Sequence, residues 1–166
     1  MASQLAKFDG CAAMVFHHDV DGPADGTSDD AKAAWQSVVD AIAEGAVVAE
    51  RESEGLPADS VIAAAPLRTI EAWLLADEEA VSATAAPGGA DVRTEASDPE
   101  ALWGKKSDRN SAHPKRVFQR VMGGPARKVA TRDYRAVADV VRISELERRC
   151  PIAFGAFRQR VAAVIS

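Results

Sequence analysis

Residues 12–22, AAMVFHHDVDG, constrain this chain more than any other stretch. An apolar run from Ala12 to His18 ends at two carboxylates, Asp19 and Asp21, with Gly22 and Pro23 directly behind them. A run this short, closed by breakers, reads as a strand. It sets two acidic side chains at the C-terminal edge of a sheet, where open α/β sheets keep their ligand sites. If the strand persists to Asp21, both carboxylates leave the same face, because side chains alternate along a strand. They then repel unless a cation sits between them or one takes up a proton. The residues alone leave two readings open: a site for a divalent metal or phosphoryl group, or a loop pair that caps backbone amides. His17 and His18 are expected to pack at the sheet edge rather than to ligate a metal.

The remaining order of elements narrows the fold. Gly22, Pro23 and Gly26 make 19–28 a loop, and Thr27-x-x-Asp30 has the form of a helix cap. A helix is expected from about Asp29 to Ala46, with Trp35, Val38, Val39, Ile42 and Ala46 on one face. A second apolar strand, Ser60–Ala65, ends at Pro66, and Arg68–Asp77 is helical, with an extension over 78–83. Strand, helix, strand, helix in that order argues for a parallel α/β unit. Residues 84–97, rich in Ala, Gly, Thr and Pro, read as a flexible loop. Beyond them no strand is expected: Lys105–Asn110 is a polar loop, and the rest reads as helices. A short one starts at Asp98-Pro99-Glu100, with Asp as cap and Pro first. Others are expected at Pro114–Met122, Tyr134–Val141, Ser144–Arg149 and Pro151–Ile165, the last with Ile152, Phe154, Phe157, Val161 and Val164 inward.

The length of 166 residues suits a single domain over 1–166, divided into an α/β core (1–83), the loop (84–97) and a helical basic region (98–166). The fold class is α/β, a small, mainly parallel sheet flanked by helices. No apolar run reaches the roughly 18 residues of a membrane span, and the N-terminal residues lack the pattern of a signal peptide, so a cytoplasmic location without membrane contact is expected. Cys11 and Cys150 stand far apart, which argues against a zinc site or a disulfide framework. The net charge of −5 conceals an asymmetry: residues 1–100 carry a balance of −15 and residues 101–166 one of +10. The halves either neutralise each other by packing or present a metal-binding half beside a phosphate-binding surface.

Glu71 falls in the first turn of the helix after the second strand. There it complements the helix N-terminus, and parallel strands would also bring it to the edge that carries Asp19 and Asp21. Asp77 lies further round and is expected to be a cap or a salt-bridge partner. Of the basic residues between Lys105 and Arg135, Lys115 at the start of a helix and its neighbour Arg116 are the best placed to touch a phosphate.

Two families share parts of this pattern. Asp19-Val20-Asp21-Gly22 resembles the haloacid dehalogenase phosphohydrolases, whose Asp-x-Asp-Gly-Thr provides a nucleophile and an acid/base. Pro23 replaces the threonine, and no late acidic pair follows a strand. The second resemblance spans about residues 14–162: VFHHDVDG, APLRTIEAWLLAD, HPKRVFQRV and ISELERRCPIAFGAFRQRV, in that order. It is to the bacterial domain of unknown function 4276, itself similar to the TOPRIM domains of topoisomerases, primases and nucleases of the overcoming-lysogenization-defect type. This resemblance implies Asp19 and Asp21 as magnesium ligands, with genomic association to ATPases and phage defence. A TOPRIM site also uses a glutamate ending an earlier strand, in a Glu-Gly context. Before Ala12 the sole acidic residue is Asp9, so either the true start lies upstream or this member has lost that element.

The resulting expectation is magnesium-dependent cleavage of nucleic acid. Asp19, Asp21 and Glu71 hold metal, and Lys115 and Arg116 position the phosphate backbone. The alternatives are a non-catalytic subunit of an ATPase partner and a dehalogenase-like phosphatase.

Overall fold

In the computed structural model, residues 13–20, 28–52, 57–123 and 127–165 are described. The two apolar runs pair as expected. Strand β1 (Met14–His17) lies parallel to β2 (Val61–Ala64), in the register Met14↔Val61 to His17↔Ala64. Among the described residues these are the strands of one two-stranded sheet. Helix α1 (Ser28–Glu52) makes the crossover. It runs past the expected end at Ala46, because residues 46–52, AVVAERE, contain no breaker to stop it. Its inward face is the expected one: Ala46 is buried, and Trp35, Val38, Val39 and Ile42 are partly covered. The Trp35 indole N–H donates to the Ala65 carbonyl just beyond β2 (2.7 Å). The cap expected at Thr27 lies outside the described residues.

After β2 come α2 (Ile70–Leu74) and α3 (Glu78–Thr84), where the sequence suggested one continuous helix. Asp77 makes the break. Its extended backbone lets its carboxylate accept the N–H groups of Glu79 and Ala80, which begin α3. Residues 84–97 hold a further short helix, α4 (Val92–Glu95), capped by Asp91. They are tied to a later helix by Ala86 N–H donating to Met122 and Ala90 N–H to Arg120. Gly89 makes that approach possible, since a Cβ there would lie 2.0 Å from the Val121 carbonyl oxygen. Asp98 and Pro99 open a 3-10 turn (Pro99–Ala101), with Asp98 capping as expected.

The rest is helical: α5 (Pro114–Gly123), α6 (Thr131–Ala138), α7 (Ile143–Arg149) and α8 (Ala153–Ile165). Two apolar clusters fill the interior. Leu75, Val81 and Val92 meet Phe118, Val121, Met122 and Val137 in one. In the other, Ala64, Leu67 and Trp73 meet Leu146, Cys150 and Phe154, and the Trp73 and Phe154 rings pack edge to face, 5.2 Å apart. Helix α2 supplies residues to both clusters, so it is buried nearly all round. That burial carries Glu71, two residues after Thr69, into the protein.

Charge crosses the same boundary as the apolar contacts. Arg142 grips Asp77 in a bidentate pair (2.7 and 2.8 Å) and also reaches Glu79. Arg149 pairs with Glu78, Arg120 with Glu95 and Lys115 with Asp19. The basic half is thus bound to the acidic half by ion pairs. No helix among the described residues is long and apolar enough to cross a membrane.

Candidate functional site

Strand β1 ends at His17, two residues short of Asp19, so alternation along the strand does not orient that carboxylate. Its contacts do. Asp19 Oδ1 accepts the Ile70 N–H (3.1 Å) at the start of α2, and Oδ2 accepts from the Lys115 ammonium (3.2 Å). His17 Nε2 stands 3.4 Å from Oδ1. His17 and His18 are exposed rather than packed. Asp21 and Asp9 lie outside the described residues.

Glu71 lies one residue beyond the amide that Asp19 receives, and it is 2% exposed. Its Oε1 accepts the hydroxyl of Tyr134 on α6 (2.8 Å). Its Oε2 is buried with no hydrogen-bond partner among the described residues. A buried carboxylate oxygen without a partner is costly, and such atoms call for an explanation. Burial pushes the Tyr134 phenol well above its ordinary range, and the charges of Glu71 and Asp19 push it the same way. Tyr134 therefore stays protonated and donates to Glu71. Asp133 sets the start of its helix, accepting the Ala130 N–H (2.8 Å) and pairing with Arg127.

Lys115, on α5, holds the other oxygen of Asp19. The buried His113 opens α5: its carbonyl accepts the Arg116 N–H (2.8 Å), and its Nδ1 lies 3.2 Å from the Lys115 N–H, which donates to it. Ahead of it, residues 103–113 form a basic loop closed where Gly104 meets Ser111 and His113. A Cβ on Gly104 would lie 2.9 Å from that of Ser111. Arg68 is buried, stacks 3.5 Å from the centroid of the Trp103 ring and donates to the Gly104 carbonyl. Arg116 gives its Nε to the Lys106 carbonyl and its Nη1 to Gln119, so its guanidinium braces the loop from below. Arg120 does the same at the carbonyls of Arg109 and Ser111 (both 2.9 Å).

Of the expected site residues, Asp19 and Lys115 form an ion pair, Glu71 follows the residue whose amide Asp19 accepts, Arg116 donates into the 103–113 loop, and Asp77 is both the cap and the ion-pair partner anticipated. Tyr134 and His113 are positions in this cluster that the sequence reading missed. One signal was available for each: a lone tyrosine on a helix facing the core needs a partner for its hydroxyl, and His113 sits directly before a helix-starting proline. No group of three or more His, Cys, Asp and Glu side chains suited to a metal ion occurs among the described residues. The donor set still suits magnesium, which takes oxygen ligands and is often bound through one or two carboxylates plus waters and phosphate. Asp19 and Glu71 would be those carboxylates, and the unpartnered Glu71 Oε2 is the kind of atom a cation would satisfy.

A family model for a domain of unknown function, DUF4276, matches residues 3–162. The chain belongs to that family. The match takes in every residue of the candidate site described above, from His17 to Tyr134. Comparison with curated proteins and with solved structures gave no match.

Proposed function

We propose that this chain is a metal-dependent phosphodiesterase acting on nucleic acid, with a TOPRIM-like arrangement of acidic ligands at the C-terminal end of β1. The observation that carries the reading is the buried, partnerless Glu71 Oε2, on the residue next to the amide that Asp19 receives. Asp19 and Glu71 would hold magnesium, which polarises a phosphate and lowers the pKa of a bound water. Tyr134, donating to Oε1, fixes the Glu71 carboxylate so that Oε2 stays turned away from it. Lys115 offsets the charge of a phosphate oxygen, and the braced loop with Lys105, Lys106 and Arg109 exposed aligns the backbone. The test is incubation with single- and double-stranded DNA and RNA. Cleavage is expected with magnesium, none with EDTA and none for Asp19→Ala. A protein inert on all four substrates with either magnesium or manganese would sink the reading.

One observation favours a second reading, a non-catalytic subunit of an ATPase. On β1, Val15 and Phe16 are 55% and 43% exposed, which is unusual for a sheet strand. Copurification with an ATPase that is lost in Val15→Glu/Phe16→Glu would select it.

A further inference from the structure

From the contacts of Lys115 we infer that this residue is a built-in counter-ion that occupies the cation position at Asp19 and must leave before a divalent ion binds. The inference rests on the metal-dependent reading above and deepens it.

The position of Lys115 is its first peculiarity. It is in the first turn of α5, directly after Pro114, where the helix dipole favours a carboxylate and disfavours a cation. What compensates lies 96 residues away in sequence, in Asp19 Oδ2 at 3.2 Å. The pair is mostly covered, with the side chains 30% and 24% exposed. Water therefore screens it less than a surface pair. His113 Nδ1 accepting the Lys115 backbone N–H fixes the start of the helix and so the origin of the side chain.

The second peculiarity is the contrast between the two carboxylates. Asp19 is satisfied on both oxygens, by Ile70 N–H and by Lys115, while Glu71 is satisfied on one. Among the described residues, the Lys115 ammonium is paired with Asp19 and not with Glu71 Oε2. An ammonium and a divalent ion cannot share the Asp19 carboxylate without strong repulsion. The lysine has the means to leave, since its ammonium is a point charge on a flexible stem. Once released it can follow a phosphate oxygen. Lys115 thus keeps Asp19 neutralised in the empty protein and makes tight metal binding depend on a second anion that gives the ammonium somewhere to go.

The test uses manganese alone, titrated into the full-length chain and followed by the EPR signal of the free ion. Lys115→Met and Lys115→Gln are expected to bind manganese about tenfold more tightly than the wild type, or better, because the competing charge is gone. Lys115→Arg keeps the charge and is expected to stay near the wild-type affinity. Adding Asp19→Asn to Lys115→Gln should abolish the gain, which locates the ion. Thermal unfolding in EDTA checks that each variant is folded, and manganese should restore stability to Lys115→Met but add little to the wild type. Equal or weaker affinity in Met and Gln variants that fold overturns the counter-ion role while leaving the metal site standing. No manganese binding in any variant overturns both.

Discussion

Asp77 shows how one carboxylate can do two structural jobs. Its side chain is fully buried, caps α3 through two amides and receives both the guanidinium and the backbone N–H of Arg142. The Arg142 hydrogen bond is the main reason its carboxyl is lowered to about 2. A depressed carboxylate adds stability that is fully present above its ordinary value of 3.8 and is lost as the pH falls through about 2. Urea unfolding between pH 5 and 2 should therefore show an acid limb that is flatter in Asp77→Asn. At pH 7, Asp77→Ala should cost about 3 kcal/mol, since it removes a cap and leaves Arg142 without its buried partner. Asp77 was legible because Asp before a Glu-Glu-Ala run is a cap signal. The Arg142 contact was not, because nothing in a single sequence pairs residues 65 apart. Glu71 was legible only as a carboxylate near a sheet edge. Its complete burial depends on α2 being enclosed on all sides.

At the scale of elements, the loop from Trp103 to His113 is the best-built irregular segment. Its conformation rests on arginines of α5 that donate to its carbonyls. Arg120 also pairs with Glu95, which joins the loop to α4. Arg120→Ala should destabilise the protein by about 2 kcal/mol through the lost charged hydrogen bonds. It should also raise amide exchange across 105–111 more than in β2, as hydrogen exchange read by mass spectrometry would show. Uniform exchange changes would contradict a local brace. The sequence revealed this stretch as a basic polar loop. Its rigidity was hidden, because Arg116 and Arg120 read as surface charges until their acceptors are known. The break between α2 and α3 was missed for a related reason: helical periodicity continues across Asp77, and the carboxylate's choice to cap rather than to continue is settled by Arg142.

For the whole molecule, the acidic and basic halves share apolar clusters and ion pairs, which predicts that they unfold together. Leu75 and Val81 share a cluster with Phe118 and Val137, and ion pairs from Arg120, Arg142 and Arg149 cross the same boundary. Thermal unfolding of the full chain should be one cooperative transition, and residues 1–97 expressed alone should lack one. A cooperative melt for that fragment would contradict the shared core. The charge asymmetry offered packing of the halves as one reading, and the strand–helix–strand order announced the parallel pair. That Tyr134 of α6 would meet Glu71 was not legible, because no local signal carries a contact between residues so far apart in the chain.

We propose that Asp19 and Glu71 together hold a divalent ion. The measurement that tests it most directly is the anomalous difference map of crystals grown with manganese and a non-hydrolysable oligonucleotide. A peak beside the Asp19 and Glu71 carboxylates is expected, with the Lys115 ammonium moved from Asp19 to a phosphate oxygen. Bound oligonucleotide with no peak between those carboxylates, and Lys115 still on Asp19, would contradict it.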